Sequence, residues 1–368
     1  MSQKKITYES VGDNYETKDP IKKLFQESAR ATGENLKTHG FSEVSDSRGE
    51  SAYVWEQGDV YMASVIEGLG TKNLIADGMR IIAKKSYYDI IAHDTVATII
   101  NDLITVGATP LTLHAYWAIE DNEWLYDKTR MTDLITGWKD ACDIAGVSWG
   151  GGETATMKQI VVKDVAEFGG SAIGIIKNKN HLITDKKLTS GDRIIFIKSN
   201  GVNANGISLT RAIAKELPDG YATLLPDGTT YGEALLTKSN IYAKAIQDLQ
   251  SANIDIHYVS NITGHGMRKV MRARPNFTYI IETVFDPQEI FLFIQKHAGL
   301  SDEEMYGTYN MGQDYAIFVP EKDAEKTIEI IKKNNFDSIN AGYIETGERE
   351  VRLQSKNITF KGDTLNLR

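Results

Sequence analysis

Glycine clusters that follow strand-like apolar runs are the feature that most constrains the fold of this chain. The run at 59–67, DVYMASVIE, leads into Gly68-Leu69-Gly70, and the run at 192–198 leads into a loop rich in glycine and asparagine. Glycine permits backbone conformations and close approaches that side chains forbid. Loops at the carboxyl ends of strands are also where α/β proteins commonly bind ligands. The pattern therefore predicts strands that end at ligand-binding loops.

Apolar periodicity predicts both strands and helices in each half of the chain. In the first half we predict strands at 59–67, 111–119 and 165–176, and helices at 73–85, 89–107 and 128–145. In the second half we predict strands at 192–198, 255–259, 278–283 and 314–319, and helices at 208–217, 239–252 and 324–335. This mixture indicates a two-domain protein of the α/β or α+β class.

Length and a polar segment suggest where the domains divide. The 368 residues correspond to two domains at about 150 residues each. The turn-rich stretch NKNHLITDKKLTSG at 178–191 is the predicted boundary. We therefore expect an N-terminal domain at 1–180, a C-terminal domain at 181–346 and a tail at 347–368 that contains two possible edge strands.

Composition excludes several classes of partner. Lys and Arg number 41 against 50 Asp and Glu, a net charge of −9, so there is no surplus of cations for nucleic acid or an anionic membrane. The single cysteine, Cys142, excludes a disulfide within the chain and a zinc site built from several cysteines. No apolar run is long enough to span a bilayer, and the N-terminus lacks a secretory signal, so we expect a cytoplasmic location.

The first candidate site is Glu67-Gly68-Leu69-Gly70-Thr71-Lys72, between a predicted strand and a predicted helix. Backbone amides, a helix N-terminus and the charge of Lys72 favour an anion such as phosphate there. The segment does not match the Walker A pattern. Taken alone, a tight turn with a solvated lysine explains it better.

Two further motifs carry carboxylates. Asp94 and Asn101 are seven residues apart and share one face of the predicted helix, with Asp102 beside them. Such groups need partners if buried, and Mg²⁺ carrying nucleotide phosphates is one solution. A solvated helix stripe is an equally good explanation. Glu153 follows three glycines, which suits a metal ligand, although the triplet is also typical of a flexible surface turn.

Three motifs in the second half follow or precede predicted strands. The loop SNGVNANGIS at 199–208 ends at Ser208, which we expect to cap the next helix. Thr263-Gly264-His265-Gly266 contains a histidine able to titrate near neutral pH, although a lone loop histidine is more often structural. Tyr309-Asn310-Met311-Gly312 leads into the strand at 314–319. No Ser-His-Asp order, H-E-x-x-H or dinucleotide fingerprint supports a hydrolase or a nicotinamide enzyme.

In this order, the motifs resemble the aminoimidazole ribonucleotide synthetase family, the phosphoribosylformylglycinamidine cyclo-ligases. That family reads D-G-V-G-T-K, I-G-x-D followed by V-N-D, G-G-E-T-A-E-M, H-S-N-G-x-S-L-V-R, H-[IL]-T-G-G-G and [FY]-N-x-G. The matches here are Gly68–Lys72, Asn101 and Asp102 with Asp94 before them, Gly151–Met157, Asn205–Arg211, Thr263–Gly266 and Tyr309–Gly312. Leu235-Leu236-Thr237 with Ile241-Tyr242 also resembles the family's L-L-x-P-T-x-I-Y segment. The resemblance covers the chain from about Tyr53 to Pro320, and six ordered motifs are far more specific than one.

Several positions depart from the family pattern. Glu67 replaces an aspartate, Lys238 replaces a proline, and His265 replaces a glycine. Asn203 and Asn261 stand where the family has histidines. These two losses bear on the substrate or the chemistry and leave the expected fold unchanged.

The resemblance implies a two-domain fold in which the N-terminal domains of a homodimer pair their sheets into a shared barrel. It implies ATP and Mg²⁺ as cofactors, and cyclisation of formylglycinamidine ribonucleotide through a phosphorylated amide-type oxygen. The implied metal ligands are Glu67, Asp94 and Glu153. The implied phosphate-binding residues are Gly68, Gly70, Thr71, Lys72, Asn101, Asp102, Gly152 and Thr154. The implied substrate-binding residues are Asn203, Asn205, Gly206, Ser208, Thr263 and Gly264. The implied catalytic residues are Lys72, Asp94 and His265, of which His265 is the local candidate to replace a lost histidine.

Other functions remain open. Another phosphoryl-transfer enzyme of the same superfamily is one alternative. Selenophosphate synthetases and the hydrogenase-maturation member are disfavoured, because those families are associated with terminal cysteines that this chain lacks. Thiamine-monophosphate kinase remains possible but agrees less well with the motif at 203–209. A catalytically silent nucleotide-binding paralogue would explain Asn203 and Asn261. The retained Lys72, Asp94 and Glu153 argue against it.

Overall fold

The computed structural model describes residues 5–6 and 15–365. These residues form two domains, each built from one β-sheet and the helices packed on it. The elements of the first half are α1 (Tyr15–Ala31), β1 (Ser42–Glu43), β2 (Tyr53–Gln57), β3 (Val60–Gly68), α2 (Asn73–Ala83), α3 (Tyr88–Leu103), β4 (Thr109–Ile119), α4 (Lys128–Ala145), β5 (Ser148–Thr156) and β6 (Ala166–Ile176). Their strands form one sheet in the order β1-β2-β3-β6-β4-β5. All neighbours are antiparallel except the parallel pair β4 and β5.

Helices cover one face of this sheet and leave the other open. α3 contacts β3 and β6, and α4 packs on α3 and β5. On β3, the alternate residues Ala63 and Val65 are buried under the helices, whereas Ile66 is 79 % exposed. Tyr116 of β4 lies on the same open face and is 41 % exposed.

The helix α3 lies in the middle of the first domain and is buried on nearly all sides. Its buried residues include Ile91, Val96, Ile99 and Ile100. α4 approaches it closely at Gly137, where a Cβ atom would lie 2.5 Å from the carbonyl oxygen of Asp89. Only a residue without a side chain fits at this crossing.

The second half forms a sheet of seven strands in the order β13-β12-β9-β11-β7-β10-β8. Its elements are β7 (Arg193–Lys198), α5 (Ile207–Glu216), α6 (Tyr231–Leu235), α7 (Ala243–Ser251), β8 (Tyr258–Asn261), β9 (Phe277–Ile281), α8 (Glu289–Ala298), α9 (Asp302–Tyr306), β10 (Gln313–Val319), α10 (Ala324–Lys333), β11 (Ser338–Thr346), β12 (Glu350–Leu353) and β13 (Ile358–Lys361). Every residue of β10 is buried. The tail expected at 347–368 contributes β12 and β13 to this sheet.

The predicted two-domain α/β class is confirmed, and most predicted elements lie within a few residues of their expected bounds. The glycine triplet at 150–152, for which a flexible surface turn was the alternative interpretation, lies within β5, where Gly152 pairs with Ala115 of β4. Two predictions were wrong. Residues 239–242 are not helical, because α3 binds their backbone groups. Ser208 lies inside α5, whose N-cap is Gly206 with a left-handed φ of 74°, so Ser208 does not cap the helix.

Eight of the described elements were not predicted from the sequence, namely α1, β1, β2, β5, α6, α8, α9 and β11. Separately, within the described part of the chain, no helix has the length and apolar character needed to cross a membrane.

We predict that Gly137→Ala destabilises the protein. The added Cβ would push α3 and α4 apart, which costs about 1–3 kcal/mol of unfolding free energy. The measurement is chemical denaturation followed by circular dichroism. Gly201→Ala is the matched control, because a Cβ there would meet no heavy atom closer than 3.8 Å. Equal stability of the two variants would contradict the close packing of α3 on α4.

Candidate active site

A cavity of ≈160 Å³ lies between the two domains. One wall comes from the end of β3 and from α3, and the other from the loops after β7 and β8 and from the segment before α7. The lining residues are Glu67, Gly68, Ala97, Thr98, Asn101, Asp102, Asn203, Ala204, Asn205, Ser239, Asn261, Thr263 and Lys269. The cavity therefore joins four of the six motifs noted in the sequence.

Two carboxylates face each other at this cavity. Burial, and next the negative charge of Asp102, raise the pKa of Glu67 to about 7, while the cation of Lys269 acts in the opposite direction. Asp102 accepts a hydrogen bond from the side-chain amide of Asn261, with 2.8 Å between Nδ2 and Oδ1. A carboxylate pair of this kind attracts a proton or a divalent cation.

Lys72 and Asp94 form an ion pair with both side chains fully buried. Lys72 Nζ also donates to the carbonyl oxygen of Thr237, 3.2 Å away. Asp94 Oδ1 accepts from the backbone N–H of Ser239 at 2.8 Å. Neither Lys72 nor Asp94 lines the cavity. In this arrangement the two residues connect the domains rather than face a ligand.

The segment Thr237–Tyr242, which we call the strap, runs along α3. His93 Nε2 donates to the carbonyl oxygen of Ser239 at 2.8 Å. The amide of Asn101 donates to the carbonyl oxygen of Asn240 at 2.8 Å and accepts from the N–H of Tyr242 at 3.1 Å. Seven helical residues span about 10.5 Å and three extended residues about 10 Å, so the two spacings match. The polar groups of α3 thus find backbone partners in the other domain.

Asn203 connects the cavity to a buried carboxyl group. Its backbone is left-handed, with φ 55°, and its Nδ2 donates to Asp314 Oδ1 at 2.5 Å. The hydroxyl of Tyr242 donates to Asp314 Oδ2 at 2.6 Å. Burial raises the pKa of Asp314 to about 7, although these hydrogen bonds act in the opposite direction.

The loop after β7 is held by the motif at 309–312 and by the loop after β8. The Asn205 side chain accepts from the N–H of Gly264 at 3.1 Å. A Cβ on Gly206 would lie 2.0 Å from a ring carbon of Tyr309, and the Tyr309 hydroxyl donates to the Gly206 carbonyl at 3.1 Å. Tyr309 therefore sets the path of the loop without lining the cavity.

The structure separates the three expected metal ligands. Glu67 is opposite Gly170 in the sheet, on the face covered by α3. Glu153 is opposite Tyr116, on the open face, and β5 is three strands from β3, about 14 Å away. Asp94 is occupied by Lys72 and the strap. Gly152 and Thr154, expected to bind phosphate, are exposed on β5 beside Glu153.

Other expected residues lie beside the cavity or away from it. Gly70 and Thr71 continue the loop after Gly68, with Gly70 exposed. His265 is 4 % exposed and lies outside the cavity lining. The expected site lacked five cavity or supporting residues that the structure supplies: Thr98, Ser239, Asn261, Lys269 and Asp314. Asn261 was noted in the sequence only as a departure from the family pattern, whereas Ser239 was hidden in a predicted helix.

In the described ranges, no three carboxylate, histidine or cysteine side chains come close enough together to hold a metal ion by themselves. Mg²⁺ in phosphoryl-transfer sites, however, is usually held by one or two carboxylates together with substrate phosphates. Glu67 and Asp102 are two such carboxylates, and their mutual repulsion is relieved by a cation. The donor set therefore fits Mg²⁺ bound together with phosphate.

We predict that Glu67→Gln stabilises the protein at high pH. Because the folded pKa lies above the ordinary value, the folded chain loses stability as pH rises from about 4.5 to 7. Removing the charge should raise the unfolding free energy by about 2 kcal/mol at pH 8 and change it little at pH 5. Denaturation at both pH values measures this, with the exposed Glu216→Gln as control. A gain of equal size at both pH values would contradict the raised pKa.

Comparison with known proteins places this geometry in a family. Two family models match, AIR synthase related protein, N-terminal domain, over residues 49–176, and AIR synthase related protein, C-terminal domain, over residues 189–353. A protein of Methanococcus maripaludis named phosphoribosylformylglycinamidine cyclo-ligase is 30% identical over 96% of both chains. One of the same name from Methanococcoides burtonii is 32% identical over 90% of this chain and 93% of its own.

Solved structures share the fold at lower identity. The crystal structure of the HypE–HypF complex aligns with a TM-score of 0.58 at 17% identity, covering 82% of this chain and 88% of that one. AaThiL in complex with AMPPCP and TMP aligns with a TM-score of 0.58 at 13% identity, covering 85% and 90%. With both of its halves matched by the family models, this chain belongs to the AIR synthase related protein family.

Proposed function

We propose that this protein is an ATP-dependent cyclo-ligase that converts formylglycinamidine ribonucleotide to aminoimidazole ribonucleotide in purine biosynthesis. The observation that carries the proposal is the carboxylate pair Glu67 and Asp102 at a cavity shared with Asn203 and Asn205. Relatives that bear this activity in their names match nearly the whole chain at about 30% identity. The reaction is expected to take place in the cytoplasm.

The chemistry requires positioning more than covalent help from the protein. The γ-phosphoryl group of ATP moves to the amide-type oxygen of the substrate and leaves ADP. The neighbouring amine nitrogen then attacks the activated carbon, and inorganic phosphate departs with the oxygen as the nitrogen loses a proton. Such a sequence depends on alignment and on neutralising the transferred charge.

In this proposal Glu67 and Asp102 would hold Mg²⁺, which supplies positive charge next to the transferring phosphoryl group. The loop residues Gly68, Gly70 and Thr71 would contact phosphate through backbone amides, and Lys269 places a cation at the cavity. Asn203, Asn205 and Thr263 would line the substrate side, with Gly264, Gly206 and Ser208 behind them. Direct proton transfer by His265 is not part of the proposal, because His265 is buried outside the cavity lining.

A homodimer through the open face of the first sheet is the second part of the proposal. Ile66 and Tyr116 expose large apolar surfaces on that face. Large apolar side chains exposed on one face of a sheet are typical of interaction sites. Two such faces packed together would form the shared barrel that the family resemblance implies, and Glu153 would lie in that interface.

Two alternatives stay open. A structural neighbour, AaThiL, was solved with AMPPCP and TMP, so phosphorylation of a different substrate is compatible with the fold. A silent nucleotide-binding protein is compatible with Asn203 and Asn261. Formation of aminoimidazole ribonucleotide by the purified protein distinguishes a cyclo-ligase from both alternatives.

We predict that the purified protein with ATP and Mg²⁺ forms aminoimidazole ribonucleotide from formylglycinamidine ribonucleotide. Asp102→Asn should lower kcat by about a hundredfold or more, because it removes a charge from the carboxylate pair. The assay couples product detection with ADP release, and the exposed Asp140→Asn serves as control. ATP binding without product would reject the cyclo-ligase and favour the silent paralogue. Complementation of a purine auxotroph tests the same function in cells.

We also predict that Ile66→Glu dissociates the proposed homodimer. A carboxylate in the apolar interface would be buried without a partner, which strongly disfavours association. Light scattering coupled to gel filtration should show the mass fall from two chains to one. Ile144→Glu, on the exposed side of α4, is the control and should leave the dimer intact. A wild-type protein that is already monomeric would reject this interface.

A further inference from the structure

Ser239 is a cavity residue whose hydroxyl has no assigned task. It is 7 % exposed and lines the cavity. Its N–H is bound by Asp94 Oδ1 and its carbonyl oxygen by His93 Nε2. Its hydroxyl makes no hydrogen bond to any residue that the structure describes. Because Ser239 lines the cavity and its hydroxyl is unpaired, that hydroxyl is available to a ligand.

The position of Ser239 is fixed from the other domain. Asp94, which holds its N–H, is itself held by Lys72, and Lys72 also binds the carbonyl oxygen of Thr237 two residues earlier in the strap. His93, the residue before Asp94 on α3, binds the carbonyl oxygen of Ser239. A buried ion pair contributes little net stability compared with apolar packing, yet it specifies one geometry when fully hydrogen-bonded. Here that geometry brings one serine to the cavity.

The surroundings of Ser239 indicate which kind of atom it would meet. Side chains that can donate hydrogen bonds, from Asn205 and Thr263, line the same cavity, together with the cation of Lys269. Such a wall suits an oxygen acceptor of a ligand. Glu67 and Asp102 suit a cation or N–H donors instead. A phosphoryl oxygen and a carbonyl-type oxygen both meet the requirement at Ser239.

We propose that the Ser239 hydroxyl binds an acceptor oxygen of a substrate, and that Lys72, His93 and Asp94 are positioning residues that hold Ser239 at the cavity. The identity of the two candidate ligands, ATP and formylglycinamidine ribonucleotide, rests on the proposed function. Lys72 and Asp94 then act through the strap rather than by touching phosphate or metal.

The first experiment measures the binding of each ligand by calorimetry, with Mg²⁺ present, to the full-length wild type and to Ser239→Ala. We expect the variant to bind one of the two at least about tenfold more weakly, with an unchanged Tm. Loss for ATP identifies a phosphoryl oxygen, and loss for the amidine substrate identifies a carbonyl-type oxygen. Ser251→Ala, exposed at the end of α7, is the matched control. Equal affinities of Ser239→Ala and wild type for both ligands would overturn the role of Ser239.

The outcomes separate this inference from the proposed function. A wild type that forms no aminoimidazole product, but whose ATP affinity falls on Ser239→Ala, would reject the cyclo-ligase and keep the inference. If the wild type forms product and Ser239→Ala binds both ligands as tightly as wild type, the cyclo-ligase function is kept and the role of Ser239 is rejected.

The second experiment tests the positioning residues, first by hydrogen exchange without ligand and then by ligand affinity. His93→Leu removes the bond to the Ser239 carbonyl, whereas His93→Gln retains a donor. We expect hydrogen exchange of the 237–242 backbone amides to be about tenfold faster in His93→Leu than in wild type and to recover in His93→Gln, with other segments unchanged. The ligand affinity lost in Ser239→Ala should fall in parallel in His93→Leu. Exchange that is unchanged in His93→Leu, or affinity that does not follow exchange, would overturn the positioning role.

Discussion

The cavity depends on hydrogen bonds between side chains of α3 and the backbone of the strap. The strap is extended and cannot satisfy its own N–H and C=O groups, and α3 buries Asp94 and Asn101 away from water. The α3 side chains and the strap backbone pair with each other and so remove each other's desolvation cost, since unpaired buried polar groups cost roughly 1–3 kcal/mol each. The two domains are therefore joined by reciprocal hydrogen bonds as well as by apolar contact. The cavity exists only where the domains meet.

The register of the first sheet decides which carboxylates can cooperate within one chain. Glu67 and Glu153 belong to sheet positions of opposite parity, so the pleat sends them to opposite faces. Asp102, the residue after the strap contact Asn101 on α3, lies next to Glu67 instead. The open face that carries Glu153 is left for an interface, which is why the proposed site and the proposed dimer are separate features of one sheet.

Much of this arrangement could be predicted from the sequence, for identifiable reasons. The amphipathic α4 and the apolar β10 follow from the spacing of apolar residues, and the loop glycines mark strand ends. Pairing of Glu67 with Asp102 was not predictable, because it depends on how α3 lies over β3. The partners of Asp94 and Asn101 were missed because they are backbone groups some 140 residues away, which leave no trace in residue type. Residues 239–242 have ordinary helix-compatible side chains, and tertiary contacts overrode that tendency.

The distance along the chain between α3 and the strap has a consequence for folding order. Contacts separated by about 145 residues require most of the chain to be synthesised and both sheets to be largely formed before they can close. During translation the first domain would emerge with Asp94 and Lys72 already paired but with the strap absent. The ligand cavity is thus completed only after the loops that follow β7 and β8 and the strap have been made, and a shorter unfinished chain presents carboxylates without those loops.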